Sequence, residues 1–387
     1  MADRSALEAA AAAGIIKSDQ VAPLYQFLST GGVAPALPGE EDLRFIRNFH
    51  DVFLAIGIGL FAIGMAVGIG AFAASAPGPE HGAAMNGGLC LGAAAIMWGL
   101  GELFARRRRL FLPAIATVLA LTLFVVFGVA LVYAGLLMGR ELDLNFNKGV
   151  PPQLRAGFLL AAACAFIAPA AFYARFRLPF SLGMAGGGVA FFVIVSALLF
   201  AFETTIELLP ALYLLLGLLL FAAGVAFDAR DPSRVSRFSD NGFWLHFAAA
   251  PLLLGGAFGL VGQLFGASGG DAMGGAGHLM RQAEDGGALA QSMLTLLVVF
   301  VLGFISLLIN RRVLIVSALL TTGAAIAIIL REFGLGAGAL AAAVLIVLGG
   351  FVLILGAGWH SVRRVLLGWV KPDGVWARVF PPESARE

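Results

Sequence analysis

Charge is what this chain has least of. Asp, Glu, Lys and Arg make up 12% of its 387 residues, against ~25% in an ordinary soluble domain. With 60% of residues hydrophobic and a mean hydropathy of +0.94, no water-soluble core could hide these side chains, so a bilayer must be the solvent. Cysteine is nearly missing too. Cys90 and Cys164 both lie inside apolar runs, which excludes a disulfide framework and makes each a small packing residue. A net charge of +2 gives no footing for nucleic acid as a partner. The five histidines (50, 81, 246, 278 and 360) are scattered without metal-ligand spacing, and no phosphate-loop, dinucleotide or zinc-protease motif is present. No metal, cofactor or enzymatic activity is therefore expected. Gly266-Ala267-Ser268-Gly269-Gly270 matches the nucleophile-elbow pattern in form, but it sits in a Gly-rich loop with no strand before it. The N-terminus has no basic region followed by a long apolar one, so no cleaved signal peptide is expected.

What the chain does have is long greasy runs. From Asp51 onward, apolar stretches of roughly 20 residues, the length that crosses a hydrocarbon core, recur at 52–75, 83–105, 110–139, 155–174, 178–202, 207–227, 242–266, 289–310, 313–331 and 335–359. The expected fold is all-α, a polytopic transmembrane helical bundle of about ten spans over residues 51–360. A cytoplasmic helical module and linker (1–50) precede it and a cytoplasmic tail (361–387) follows. Basic residues test this count. If the N-terminus is cytoplasmic, 20 of the 25 Lys and Arg fall on inward segments, and only Arg140, Lys148, Arg155, Arg281 and Arg331 fall outward. Cytoplasmic loops carry the basic excess, so both termini are expected inside. A weak internal echo accompanies this: RRRRLFLPAIATVLA, RFRLPFSLGMAGGG and NRRVLIVSALLTTG each set a basic turn before a new apolar helix.

The first 50 residues are built differently. Ser5–Ala13 predicts an Ala-rich helix stopped by Gly14. Ser18 is placed to cap a second helix, with Asp19 in its first turn and Leu24, Phe27 and Leu28 on one apolar face. Gly31 to Glu41 is a linker. LEAAAAAGIIKSDQVAPLYQFL followed by RFIRNFHDVFLAIGIGLFAIGMAVG resembles the start of the bacterial membrane proteins grouped as domain of unknown function 2157, in which a short helical pair precedes a polytopic region. The resemblance covers about the first quarter of the chain. It implies a multi-pass protein of the bacterial inner membrane and lends no activity and no site residues.

Ionisable groups inside a membrane are costly and mark function, and the centres of the ten runs contain no Asp, Glu, Lys or Arg. That counts against proton- or sodium-coupled carriage and leaves passive or lipid transport open. Three places could carry polar chemistry. Glu102 precedes Arg106 by four residues, one helical turn, as an ion pair or a proton-handling group. Glu203 and Glu207 share a face near the outer surface. The seventh run opens from an alternating-sign loop, Asp228 to Asp240, in which Ser239 or Asp240 is placed to cap the helix. It carries Trp244, His246, Pro251 and Gln263, with Gly255, Gly259, Gly262 and Gly266 on a small-residue face. Pro251 removes a backbone donor, and broken backbone is tolerated at membrane depth where it is packed in protein or lines a cavity. These residues make either a cavity lined by Trp244, His246 and Gln263 and kinked at Pro251, or a structural kink with His246 bonded to a neighbouring helix. The expected partners are membrane lipids and other membrane proteins. The expected role is transport or lipid and small-molecule handling; the alternative is a structural or assembly subunit of a membrane complex.

Overall fold

In lipid, a polypeptide must satisfy its backbone hydrogen bonds within itself, and an apolar run of about 20 residues does so as a helix. The computed structural model describes residues 4–29, 49–75, 78–137, 150–231, 237–266, 288–309, 322–323, 326–327, 330 and 337–368, and no strand occurs among them. The helices are α1 (Arg4–Ala12), α2 (Val21–Ser29), α3 (Phe49–Ala73), α4 (Pro79–Gly101), α5 (Phe111–Leu137), α6 (Pro152–Phe176), α7 (Pro179–Phe200), α8 (Phe202–Asp228), α9 (Arg237–Leu264), α10 (Ala288–Ile309) and α11 (Ala337–Leu366). A π-helical turn, Glu102–Arg107, extends α4. Among the described residues eight helices, α3 to α10, are long and apolar enough to cross a membrane. The chain is an integral, multi-pass membrane protein. Helix α11 covers the tenth predicted run. The ninth, 313–331, falls almost wholly outside the described residues, as do the linker 31–41, the loop 267–287 with all but Gly266 of the Gly-Ala-Ser-Gly-Gly stretch, and the tail beyond 368.

The N-terminal pair follows its sequence closely. Gly14 ends α1 with φ +72, and the amides of Gly14 and Ile15 donate back to Ala11 O and Ala10 O, both at 3.0 Å, as at a glycine-terminated helix end. The start of α2 differs from expectation. Ser18–Gln20 forms a 3-10 turn, and the Gln20 side chain, not Ser18, reaches back to accept the Lys17 N–H at 3.0 Å. Val21 is buried, while Phe27 stays exposed.

Two basic turns that echo each other in sequence also share a conformation. Arg109 (φ 53) and Arg177 (φ 54) both adopt the left-handed region, closing α4 onto α5 and α6 onto α7. In each case a Leu follows, and Pro179 opens α7 at its first turn, where a missing N–H does no harm. Both turns lie at one end of the bundle, where Ala105, Arg109, Phe111, Phe176, Arg177, Pro179 and Asp240 line a single cavity of about 120 Å³.

Helix α9 is central. In its most apolar stretch 61% of residues are buried inside the protein, against 6% for α3. It packs on α7, α8 and α10, with Ala249, Ala250 and Leu253 against Leu214, Phe221 and Ile309, and Leu254 and Phe258 against Val299. A second core joins α3 to α6 around Met97, Val118 and Phe172.

Candidate functional site

The α8–α9 hairpin closes on a buried polar pair. His246 Nε2 lies 3.1 Å from Asp228 Oδ2; the imidazole is fully buried and Asp228 nearly so. Their meeting depends on two glycines. A Cβ on Gly224 would stand 2.8–3.0 Å from three atoms of the His246 ring, and one on Gly242 would run into Asp228 Oδ1. Each glycine sits one turn before the polar residue on its own helix, so the antiparallel helices present Gly-x-x-x-Asp to Gly-x-x-x-His. Phe221 packs on the imidazole at a ring separation of 4.8 Å. Beside the pair, Asn241 Nδ2 donates to the Tyr173 hydroxyl of α6 at 2.9 Å, tying α9 to the arginine-bearing end of a second hairpin.

The other residues of the seventh run are placed apart. Trp244 is buried and forms an aromatic clasp with Phe180 of α7 (4.7 Å, 89°) and Phe111 of α5 (6.4 Å, 26°). Pro251 does not interrupt α9 and lies, with Phe247, on an exposed face. Gln263 is at the opposite end, about 25 Å along the axis from His246 at ~1.5 Å per residue. There its Nε2 donates to Glu207 O at 2.7 Å. Trp244 and His246 lie near one end of α9 with different neighbours, Phe111 and Phe180 for the one and Asp228 and Phe221 for the other, and Gln263 lies near the other end, so the single cavity expected from these residues is not formed by them. The close approach of α9 to α8 at the far end falls on Gly256, beside Leu214. Helix α9 also begins earlier than expected, at Arg237, so Ser239 and Asp240 stand within its first turn instead of capping it. Glu203 and Glu207 are both exposed on α8, near an apolar cavity of about 340 Å³ lined by Ala197, Thr205, Leu208 and Leu212 among others.

A larger cavity opens at the arginine-bearing end. The π-helical turn carries the Arg108 N–H to Leu103 O, five residues back, at 3.0 Å, and such turns often mark functional positions. The widened turn places Glu102, Leu103, Arg106 and Arg107, with Gly99 one turn earlier, along one wall of a cavity of about 790 Å³, and Arg175 of α6 completes it. Glu102 is held by two arginines: Arg106 Nη1 donates at 3.2 Å and Arg175 Nε at 2.8 Å. The sequence pairs Glu102 with Arg106, but Arg175 lies 73 residues away and no local pattern announces it. Beside these residues α4 is packed tightly on α6: Trp98 meets Phe176 at 5.4 Å and a Cβ on Gly101 would stand 2.8 Å from the Phe172 ring. Gly99 faces open space.

Asp228 is the functional-site candidate that sequence reasoning missed, because it reads as the first charge of a polar loop. The signal that would have found it is its spacing of four from Gly224, mirrored by Gly242 and His246. Among the described residues no group of three or more His, Cys, Asp or Glu could hold a metal ion. No family model, no curated protein and no solved structure matches this chain.

Proposed function

We propose that this is a ten-span protein of the bacterial inner membrane, of the kind its N-terminal motif resembles, with both termini cytoplasmic and a non-enzymatic role in handling lipids or other small amphiphiles. The observation that supports it is the 790 Å³ cavity at the arginine-bearing end, which positive-inside bias assigns to the cytoplasmic face. Its basic rim and its place at the end of apolar helices suit a molecule with one polar end and one greasy end. The His246–Asp228 pair belongs to the same end and fastens α9, the helix around which the others pack. The test is reconstitution into liposomes carrying fluorescent phospholipid analogues, with leaflet exchange followed by quenching of the outer label. Exchange should run well above protein-free liposomes and fall toward that background in Gly99→Leu, which fills the cavity from a position with room for a side chain. Exchange no faster than in empty liposomes rejects lipid movement.

A second reading, a structural or assembly subunit, is favoured by α3. Its Phe53, Ile56, Leu60, Phe61, Ile63 and Val67 are exposed, and Gly64 and Gly68 have open space before them, as a helix awaiting a partner would. Stoichiometric membrane proteins retained through native purification, without lipid exchange by the purified chain, would select it.

A further inference from the structure

We propose that the cavity under the π-helical turn takes the phosphate of an anionic amphiphile, and that Glu102 is the internal counter-ion this phosphate displaces. The inference rests on the lipid-handling reading and names its ligand class. Three guanidinium groups (Arg106, Arg107 and Arg175) share the wall with one carboxylate, leaving two positive charges over. Among the described residues Arg107 has no acidic partner, and Arg175 meets Glu102 through Nε, so its two terminal nitrogens remain for another acceptor. Guanidinium forks match phosphate oxygens two at a time. A carboxylate bridging Arg106 and Arg175 occupies the place, and satisfies the donors, that a phosphate would. Glu102 is also partly exposed, with 32% of its side chain accessible, so it can swing out without unfolding its helix. Basic pockets between spans on the cytoplasmic side are where anionic headgroups bind, and Leu103 in the same lining offers an apolar side chain to the first methylenes of a chain.

The site predicts opposite effects for substitutions that a merely structural ion network would not separate. Arg175→Gln and Arg107→Gln remove grip. Glu102→Gln removes the competitor and leaves a neutral side chain of the same shape. The measurement is native mass spectrometry of the purified protein from nanodiscs of phosphatidylglycerol and phosphatidylcholine in equal amounts. The wild type should retain phosphatidylglycerol over phosphatidylcholine by roughly tenfold, equivalent to one order in binding constant. Retention should fall several-fold in both arginine variants and rise in Glu102→Gln. Gly99→Leu, which leaves every charge in place, should abolish retention and so covers the case in which an arginine variant fails to fold. A second arm adds glycerol phosphate. Competition at equal concentration assigns the phosphate site to a soluble ester, and its absence assigns the site to the membrane lipid; either upholds the phosphate chemistry. Equal retention of the two lipids, or loss of retention in Glu102→Gln, overturns the proposal. If retention is equal while leaflet exchange persists, the lipid-handling reading stands and only this inference fails.

Discussion

His246 and Asp228 illustrate how little a side chain's identity says before its neighbours are known. A lone histidine on an apolar run is more often a satisfied core residue than a site, and an aspartate in an alternating-sign loop is usually a solvated charge. Placed 3.1 Å apart in a buried seam, the two become one clamp. Replacing His246 with Ala deprives the buried carboxylate of this partner, and losing such a hydrogen bond costs about 1–3 kcal/mol. The expected outcome is a clear drop in the thermal unfolding midpoint of the detergent-solubilised protein. Replacing both residues with Leu should recover much of that loss, since a buried pair exchanged for apolar groups is often neutral. A His246→Ala protein as stable as the wild type would show that the clamp does not hold the hairpin. Trp244 was read as a candidate cavity residue; Phe243 and Phe247 stand beside it in sequence, but its ring contacts with Phe111 of α5 and Phe180 of α7 come from distant helices and could not be read from its own surroundings.

At the scale of an element, the α8–α9 hairpin and the π-helical turn are the two devices that shape the arginine-bearing end. Small residues let membrane helices approach closely, and the sequence shows where glycines fall on a helix without showing which of them meet a neighbour. Gly224 and Gly242 do; Gly92 of α4 faces open space. Gly224→Ala and Gly242→Ala should therefore destabilise the protein by about 1–3 kcal/mol through overpacking, while Gly92→Ala should be close to silent. Thermal unfolding of the three variants side by side checks this, and equal midpoints would contradict the packing described. The π-helical turn could not be foreseen from hydropathy or spacing; it follows the stretch of α4 whose Trp98 packs on Phe172 and Phe176. The basic turns at Arg109 and Arg177 were visible as an echo in sequence, and the structure adds that both close through the same left-handed residue.

For the whole molecule the testable statement is topology. Reporter fusions active only outside or only inside the cell, placed after residues 148, 233, 275, 312 and 387, should read outside, inside, outside, inside, inside. A wholly inverted order moves the arginine-lined cavity to the other face, and any other departure disproves the ten-span arrangement proposed above. Apolar run length and arginine placement determine which segments enter lipid and which face the loops prefer, because hydrophobic burial and the cost of burying charge act on each segment by itself. Tertiary structure alone decided that Asp228 is a core residue, that Arg175 shares Glu102 with Arg106, and that Trp244 meets α5 and α7 while His246 meets α8. Those outcomes depend on which helices pack side by side, and inside a bilayer that choice is set by close packing and hydrogen bonding between helices far apart in the chain, which hydropathy does not record.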